Sequence, residues 1–374
     1  MESLEYYLLL VAIMALGVLM PQGAKDRKQY IVIMAVLHSL LSGLRHQYLT
    51  GDMRHYCYKY WHIGENGWFS EEVFQEGRNF GFSWLMKFFS TLSDGEFQVF
   101  LLAVAIFIEA VVAYLIYKYS PLPWLSFLVW NCMGFYCFGF SAIKQSIAMG
   151  LIMVAFVGIM EEKPKLFAVF TILASFVHAP ALIFIPAYLL SKQKFNLQTL
   201  IIYICGAVVV FINKNQIVKL MQNFYYEEGV IGDNTELGGR FFLIVLFIIA
   251  GFALKGFNGK YFSKVANLIV AAAVLQMFSG FENVFTRLTD YYLQFLIIFI
   301  PLAFADYKDE RLTGVSEGIR LDILPKQRFI LIILLTIFLV WFYYKYYINI
   351  EIPYYTDDYT NYRFFWEEWG NHAV

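Results

Sequence analysis

The sequence predicts an all-α, polytopic membrane protein with about eleven hydrophobic segments, and three observations carry that expectation. The 374-residue chain is 60% hydrophobic and only 15% charged, whereas a soluble domain carries about a quarter charged residues. Its 38 Phe, 27 Tyr and 8 Trp are far more aromatic side chains than a soluble globule of this length carries. Apolar runs also recur at close to the length of about 20 residues that a helix needs to cross hydrocarbon. A net charge of −1 argues against nucleic acid as a partner.

In order, the runs are 4–20, 30–44, 97–117, 123–140, 145–160, 166–190, 198–213, 240–256, 263–280, 288–305 and 329–348. The first contains Glu5, has no base before it and lacks a small-residue exit, so it reads as an uncleaved helix and not as a signal peptide. Several runs are short, which points to tilt, local thinning or shielding by neighbouring helices. Residues Phe80 to Leu92 read as an amphipathic segment on the outer face, because Lys87 interrupts them. Neither a repeat nor a low-complexity stretch is evident. The chain 1–374 therefore reads as one transmembrane domain. Its polar pieces are a first external loop at 45–96, an external loop at 214–239, a cytoplasmic loop at 306–328 and an aromatic external tail at 349–374. Cys57, Cys132, Cys137 and Cys205 have neither metal-ligand spacing nor a disulfide pattern.

Orientation follows from the bases. Lys25, Arg27, Lys28, Lys118, Lys163, Lys165, Lys192, Lys194, Lys255, Lys260 and Lys264, with the loop before Arg328, fall on one side if the spans alternate. That side is expected to be cytoplasmic, with both termini external. The 166–190 stretch is flanked by lysines at both ends, and at about 1.5 Å per residue it covers one crossing, not two. A helix pair that enters, turns near His178-Ala179-Pro180 and returns satisfies the flanks, and Pro180 removes a backbone donor at the turn. The alternative is one tilted, Pro-kinked helix with the charge rule broken at Lys192.

Cations on the outer side run against that charge bias. Arg45, Arg54, Arg78, Lys144, Arg240 and Arg287 are such cations. The plain reading of each is a side chain snorkelling to lipid phosphate; as a set they suit a diphosphate, which planar guanidinium groups bind well. The acids and imidazoles are Asp52 after Gly51, Glu76 before Gly77-Arg78, His178 at the turn, and Glu109 and His38 within spans. For the last two, interhelical pairing is the expected role, although ionisable groups inside a membrane raise the prior for function. For Asp52 a cap or turn role competes with chemistry. No HExxH, P-loop or DxD signature is present, which counts against zinc proteases, ATPases and cytoplasmic nucleotide-sugar transferases.

The order Arg45…Gly51-Asp52…Tyr56, Glu76, Ile143-Lys144-Gln145-Ser146-Ile147-Ala148, Ala174…His178…Ala181-Leu182-Ile183 and Arg287…Tyr291-Tyr292 resembles the EpsG-like, Wzy-type bacterial polysaccharide polymerases, over about residues 30–305. The family usually has Arg where this chain has Lys144, and lysine keeps the charge but loses bidentate geometry. The resemblance implies a GT-C-like membrane glycosyltransferase of capsule, exopolysaccharide or O-antigen synthesis, in the bacterial plasma membrane. Its substrate would be an oligosaccharide on undecaprenyl diphosphate, its candidate partners a flippase and a chain-length regulator, with no cofactor or metal. By the same resemblance His178, Asp52 or Glu76 supplies the base, and Arg45, Tyr56, Arg78, Lys144, Gln145, Arg240, Arg287 and Tyr291 contact substrate. A ligase, a transferase using a lipid monophosphate sugar, and a transporter of the lipid-linked unit are the competing expectations; a transporter would be expected to show two similar halves.

Overall fold

The computed structural model describes residues 4–20, 24–74, 79–216, 237–255, 259–280, 283–304, 325–345 and 362–367. Among them every regular element is a helix, and the β feature is an isolated bridge between Arg45 and Phe364. In chain order the helices are α1 Leu4–Leu19, α2 Ala24–Gly43, α3 Gly51–Glu65, α4 Glu71–Phe74, α5 Phe80–Leu92, α6 Phe97–Tyr119, α7 Pro123–Cys132, α8 Phe135–Phe138 and α9 Ile143–Met160. They continue with α10 Pro164–Val177, a 3₁₀ helix Ala179–Phe184, α11 Ala187–Leu190, α12 Leu197–Ile212, α13 Gly239–Lys255, α14 Lys260–Gln276, α15 Asn283–Leu293, α16 Leu296–Phe304 and α17 Pro325–Tyr343.

Among the described residues three helices are individually long and apolar enough to cross a membrane, namely α6, α9 and most of α17. The pair α15 and α16, bent by 46°, makes a fourth if it is one span. The remaining apolar runs fold as shorter or broken helices. The 123–140 run is not one helix: it breaks at Gly134, whose φ of 80° is a left-handed value that other residues avoid. The 288–305 run begins earlier than expected and bends at Gln294. Breaks of this kind survive at membrane depth only where protein covers the backbone, and both lie among buried residues. Helix α6 is uninterrupted because residues 97–119 contain neither Gly nor Pro; it ends at Ser120, which precedes Pro121 and is extended.

The 166–190 stretch is a hairpin. Phe167, near the start of α10, packs on both Phe184 and Tyr188, with ring centroids 6.0 and 5.1 Å apart. The chain has therefore returned to the level at which it entered, and a single tilted crossing is ruled out. At about 1.5 Å per residue the 14 residues of α10 span near 21 Å, so each limb is shorter than the roughly 30 Å hydrocarbon core of a bilayer. The 45–96 region, expected as a loop with an amphipathic segment, is largely helical (α3, α4 and α5). Lys87 turns inward there, donating to the Gly64 carbonyl at 2.8 Å. Most of 214–239, 306–328 and 349–374 lies outside the described residues.

The bundle has two chemically distinct ends. At one, Arg27 donates to the Tyr117 and Ser120 carbonyls, and Lys118 and Lys163 pair with Glu161. Lys264 there reaches the Ile159 and Met160 carbonyls at 2.9 and 3.2 Å and Glu162 at 3.3 Å, while Asn267 binds the Gln193 carbonyl at 2.9 Å. The loops that charge alone placed on one side thus meet in space. At the other end, residues 362–367 dock on the end of α2: the His46 amide donates to Arg363, the Phe365 amide to Leu44, and the Tyr362 hydroxyl to Leu41 at 2.6 Å. The part of the tail that is described therefore shares an end with the first polar segment. Buried polar residues within spans pair between helices, as expected: Trp130 donates to Glu109 at 3.1 Å, and His38 lies 2.7 Å from Asn131.

Candidate functional site

The hairpin apex, the first turn of α9 and one face of α15 converge at the end opposite the basic one. Helix α15 carries Arg287, Asp290 and Tyr291 at positions i, i+3 and i+4, which one helical face presents together. His178 leaves the helical conformation as the C-terminal residue of α10, with an extended backbone. Its Nδ1 lies 2.6 Å from the buried Tyr291 hydroxyl. The positive charges of Lys144 and Arg287 both act on the imidazole.

Neighbouring bonds fix this apex. The Asn79 side chain accepts from the Ala179 amide at 2.8 Å, and the Tyr292 hydroxyl donates to the Ile183 carbonyl at 2.6 Å. Helix α5 approaches at backbone distance: a Cβ on Gly81 would stand 2.8 Å from the Phe176 carbonyl oxygen. Gln145, buried in the first turn of α9, donates to the Arg287 carbonyl at 2.8 Å and so ties α9 to α15. Arg240, at the start of α13, forms an ion pair with the buried Asp290. One carboxylate thus stands among three cations, so an anion is the ligand this corner fits electrostatically. Beside it an apolar groove of about 800 Å³ runs between α12, α13 and α14, and its wall includes Leu237 and Phe241, which flank Arg240 in sequence, and Met277.

Of the residues expected to act, Lys144, Gln145, His178, Arg240, Arg287 and Tyr291 come together. Arg45 is turned into the protein. It is 2% exposed, donates to the carbonyl and hydroxyl of Ser42 and to the Gly139 carbonyl at 3.2 Å, and lies 5.1 Å over the Phe140 ring. These bonds join α2 to the α8–α9 turn and set Arg45 apart from the His178 corner. Asp52 is exposed in the first turn of α3, and Tyr56 packs edge-on to Phe82 at 5.5 Å. Glu76 and Arg78 lie outside the described residues.

Sequence reasoning assigned no role to Asp290, Asn79 or Tyr292. The first had a signal: an acid three residues after Arg287, on the polar face of an otherwise aromatic helix. Asn79 had none, because its partner is a backbone amide 100 residues away. No group of three or more metal-ligating side chains is present among the described residues.

A model of the EpsG family matches residues 28–364. No curated protein and no solved structure matches the chain.

Proposed function

Because the chain belongs to the EpsG family, a family of Wzy-type polysaccharide polymerases, we propose that it joins undecaprenyl-diphosphate-linked oligosaccharide units on the outer face of the bacterial plasma membrane. The basic end faces the cytoplasm, and the corner built on His178 and Arg287 faces outward. The observation that carries this reading is the action of Lys144 and Arg287 on the imidazole of His178, with the Arg240–Asp290 pair on the same face of α15.

In the reaction an acceptor sugar hydroxyl attacks the anomeric carbon of the chain held on lipid diphosphate. A carbon–oxygen bond forms to the acceptor, the bond to diphosphate breaks, and the electron pair leaves with the phosphate oxygen. Fixed positive charge lowers the cost of that departure; Arg287 and Lys144 supply it, with Arg240 beside them oriented by Asp290. The hydroxyl proton needs an acceptor within hydrogen-bond reach. His178 meets this through Nε2 when Nδ1–H is donated to the Tyr291 oxygen. Asp52 is the second candidate base, and Glu76 the third. The apolar groove beside Arg240 accommodates part of a polyprenyl tail.

Purified protein given lipid-linked repeat units tests the assignment. His178→Ala should still bind the lipid-linked unit and lose polymerisation, with no rescue by added metal. If Asp52→Asn alone shows that pattern, the base is Asp52. Wild-type rates in both variants would move the base to Glu76, and failure of the wild-type protein to extend any lipid-linked unit would sink the polymerase reading.

A further inference from the structure

Between α6, α7, α9 and the bend at Gln294 lies a cavity of about 20 Å³, lined by Glu109, Trp130, Ser146 and Gln294 among others. All four side chains are at most 6% exposed. One carboxyl oxygen of Glu109 accepts from the Trp130 indole at 3.1 Å. Its other oxygen, Oε2, has no partner in the protein, and neither has Ser146 Oγ or Gln294 Oε1. An unsatisfied buried polar atom costs about 1–3 kcal/mol, so three on one small cavity point to a guest. A water needs a cavity of at least about 10–15 Å³ and two to four polar partners. The volume and the three atoms meet both requirements.

The same side chains touch the proposed catalytic corner. Ser146 follows Gln145, which holds the Arg287 carbonyl, and Gln294 donates its amide to the Tyr291 carbonyl at 3.1 Å. We propose that the cavity is a built site for one water molecule held by Glu109, Ser146 and Gln294, and that Glu109 acts through it as a positioning residue for Gln145 and Tyr291. A monovalent cation fits less well, since it would call for more oxygen ligands than the three unpartnered atoms supply. The water is on this account the joint by which α6 and α7, which carry no reactive group, set the spacing of α9 and α15, which do.

The positioning part rests on the polymerase reading; the occupancy part does not, and the two are measured separately. An experimental map fine enough to show ordered water should contain one density in contact with all three oxygens. The melting temperature of detergent-solubilised protein should be the same in sodium chloride and choline chloride. Sodium-dependent stabilisation lost in Glu109→Gln would make the guest a cation and overturn the proposal, as would a map with no density there. For positioning, Glu109→Met, which removes both oxygens at similar length, should lower kcat about tenfold or more with KM little changed. Glu109→Gln, which retains an acceptor for Trp130 and a polar atom for the water, should restore it to within about twofold. If Glu109→Met does not accumulate, Ser146→Ala provides the reading, with a loss of about threefold; wild-type kcat in both variants would remove the positioning role while leaving the water to the map.

Discussion

At the basic end Lys118, Lys163 and Lys264 meet Glu161, Glu162 or helix carbonyls, whereas at the opposite end Lys144 and Arg287 act on His178 and Arg240 pairs with Asp290. Both ends concentrate positive charge; the first meets helix-end carbonyls and the acids that follow α9, whereas in the second Arg240 pairs with the buried Asp290. The difference separates charge that ties helix ends together from charge placed beside a buried His–Tyr pair, a distinction that counting lysines and arginines cannot make.

Side-specific labelling breaks the comparison outright if the ends are misassigned. In protein freed of native cysteines, single cysteines at Asp52 or Trp366 should react with an impermeant maleimide in intact cells, and those at Lys163 or Lys194 only after lysis. Reaction at both groups in intact cells would remove the two-ended reading. Next in size, Arg287→Ala and Arg240→Ala should lower polymer formation about 100-fold or more at normal membrane abundance. Lys264→Ala should do the reverse, destabilising the folded protein by about 1.5–3 kcal/mol in lost charged hydrogen bonds while each folded molecule turns over normally. Equal loss of turnover from both ends would erase the distinction. Tyr291→Phe, which removes the hydroxyl beside His178 and little else, should cost about tenfold in kcat; Lys144→Arg should retain activity, since it keeps the charge.

The smallest effect concerns the docked tail. Burial and the neighbouring Arg363 hold the pKa of His46 below its ordinary 6.5, against Glu367. The neutral ring is the form that the docked state favours, so the unfolded chain takes up a proton more readily. The contribution of His46 is present above the ordinary value and is lost as pH falls through the lowered one. Spin labels at Gln47 and Trp366 should show the tail separating in mild acid, and His46→Gln should remove that dependence.

Much of this was legible in the residues. Lysines on both flanks of 166–190, with Pro180 between them, announced a returning chain, and the scattered basic loops foretold a common end. Glu109 and His38 were readable as interhelical partners because an ionisable group in a span must find one. What hydropathy missed were the interruptions: Gly134 and Gln294 break helices inside continuous apolar runs, and only neighbouring protein makes such breaks tolerable. Arg45 shows a related limit. A cation beside an acidic segment resembles a ligand contact, and only packing reveals that the Gly139 carbonyl already uses it. The Asp290 pairing required knowing that α13 starts beside α15.

Helix α9 has a lysine at each end, and the two act in opposite senses. Aligned peptide dipoles place roughly half a positive charge at a helix N-terminus and half a negative charge at its C-terminus. Lys264 sits on the C-terminal carbonyls of α9, shared with Glu162, and offsets part of the negative pole; Lys144, in the first turn, adds to the positive one. The helix thereby carries its stronger pole at the N-terminal end, about 27 Å from the other, in surroundings that bury most of its residues. Mobile ions cannot enter such a medium, so its field is screened far less than that of an exposed lysine. Attraction of a polyanion to this end of the molecule should therefore persist at salt concentrations that abolish adsorption to the lysine loops at the other.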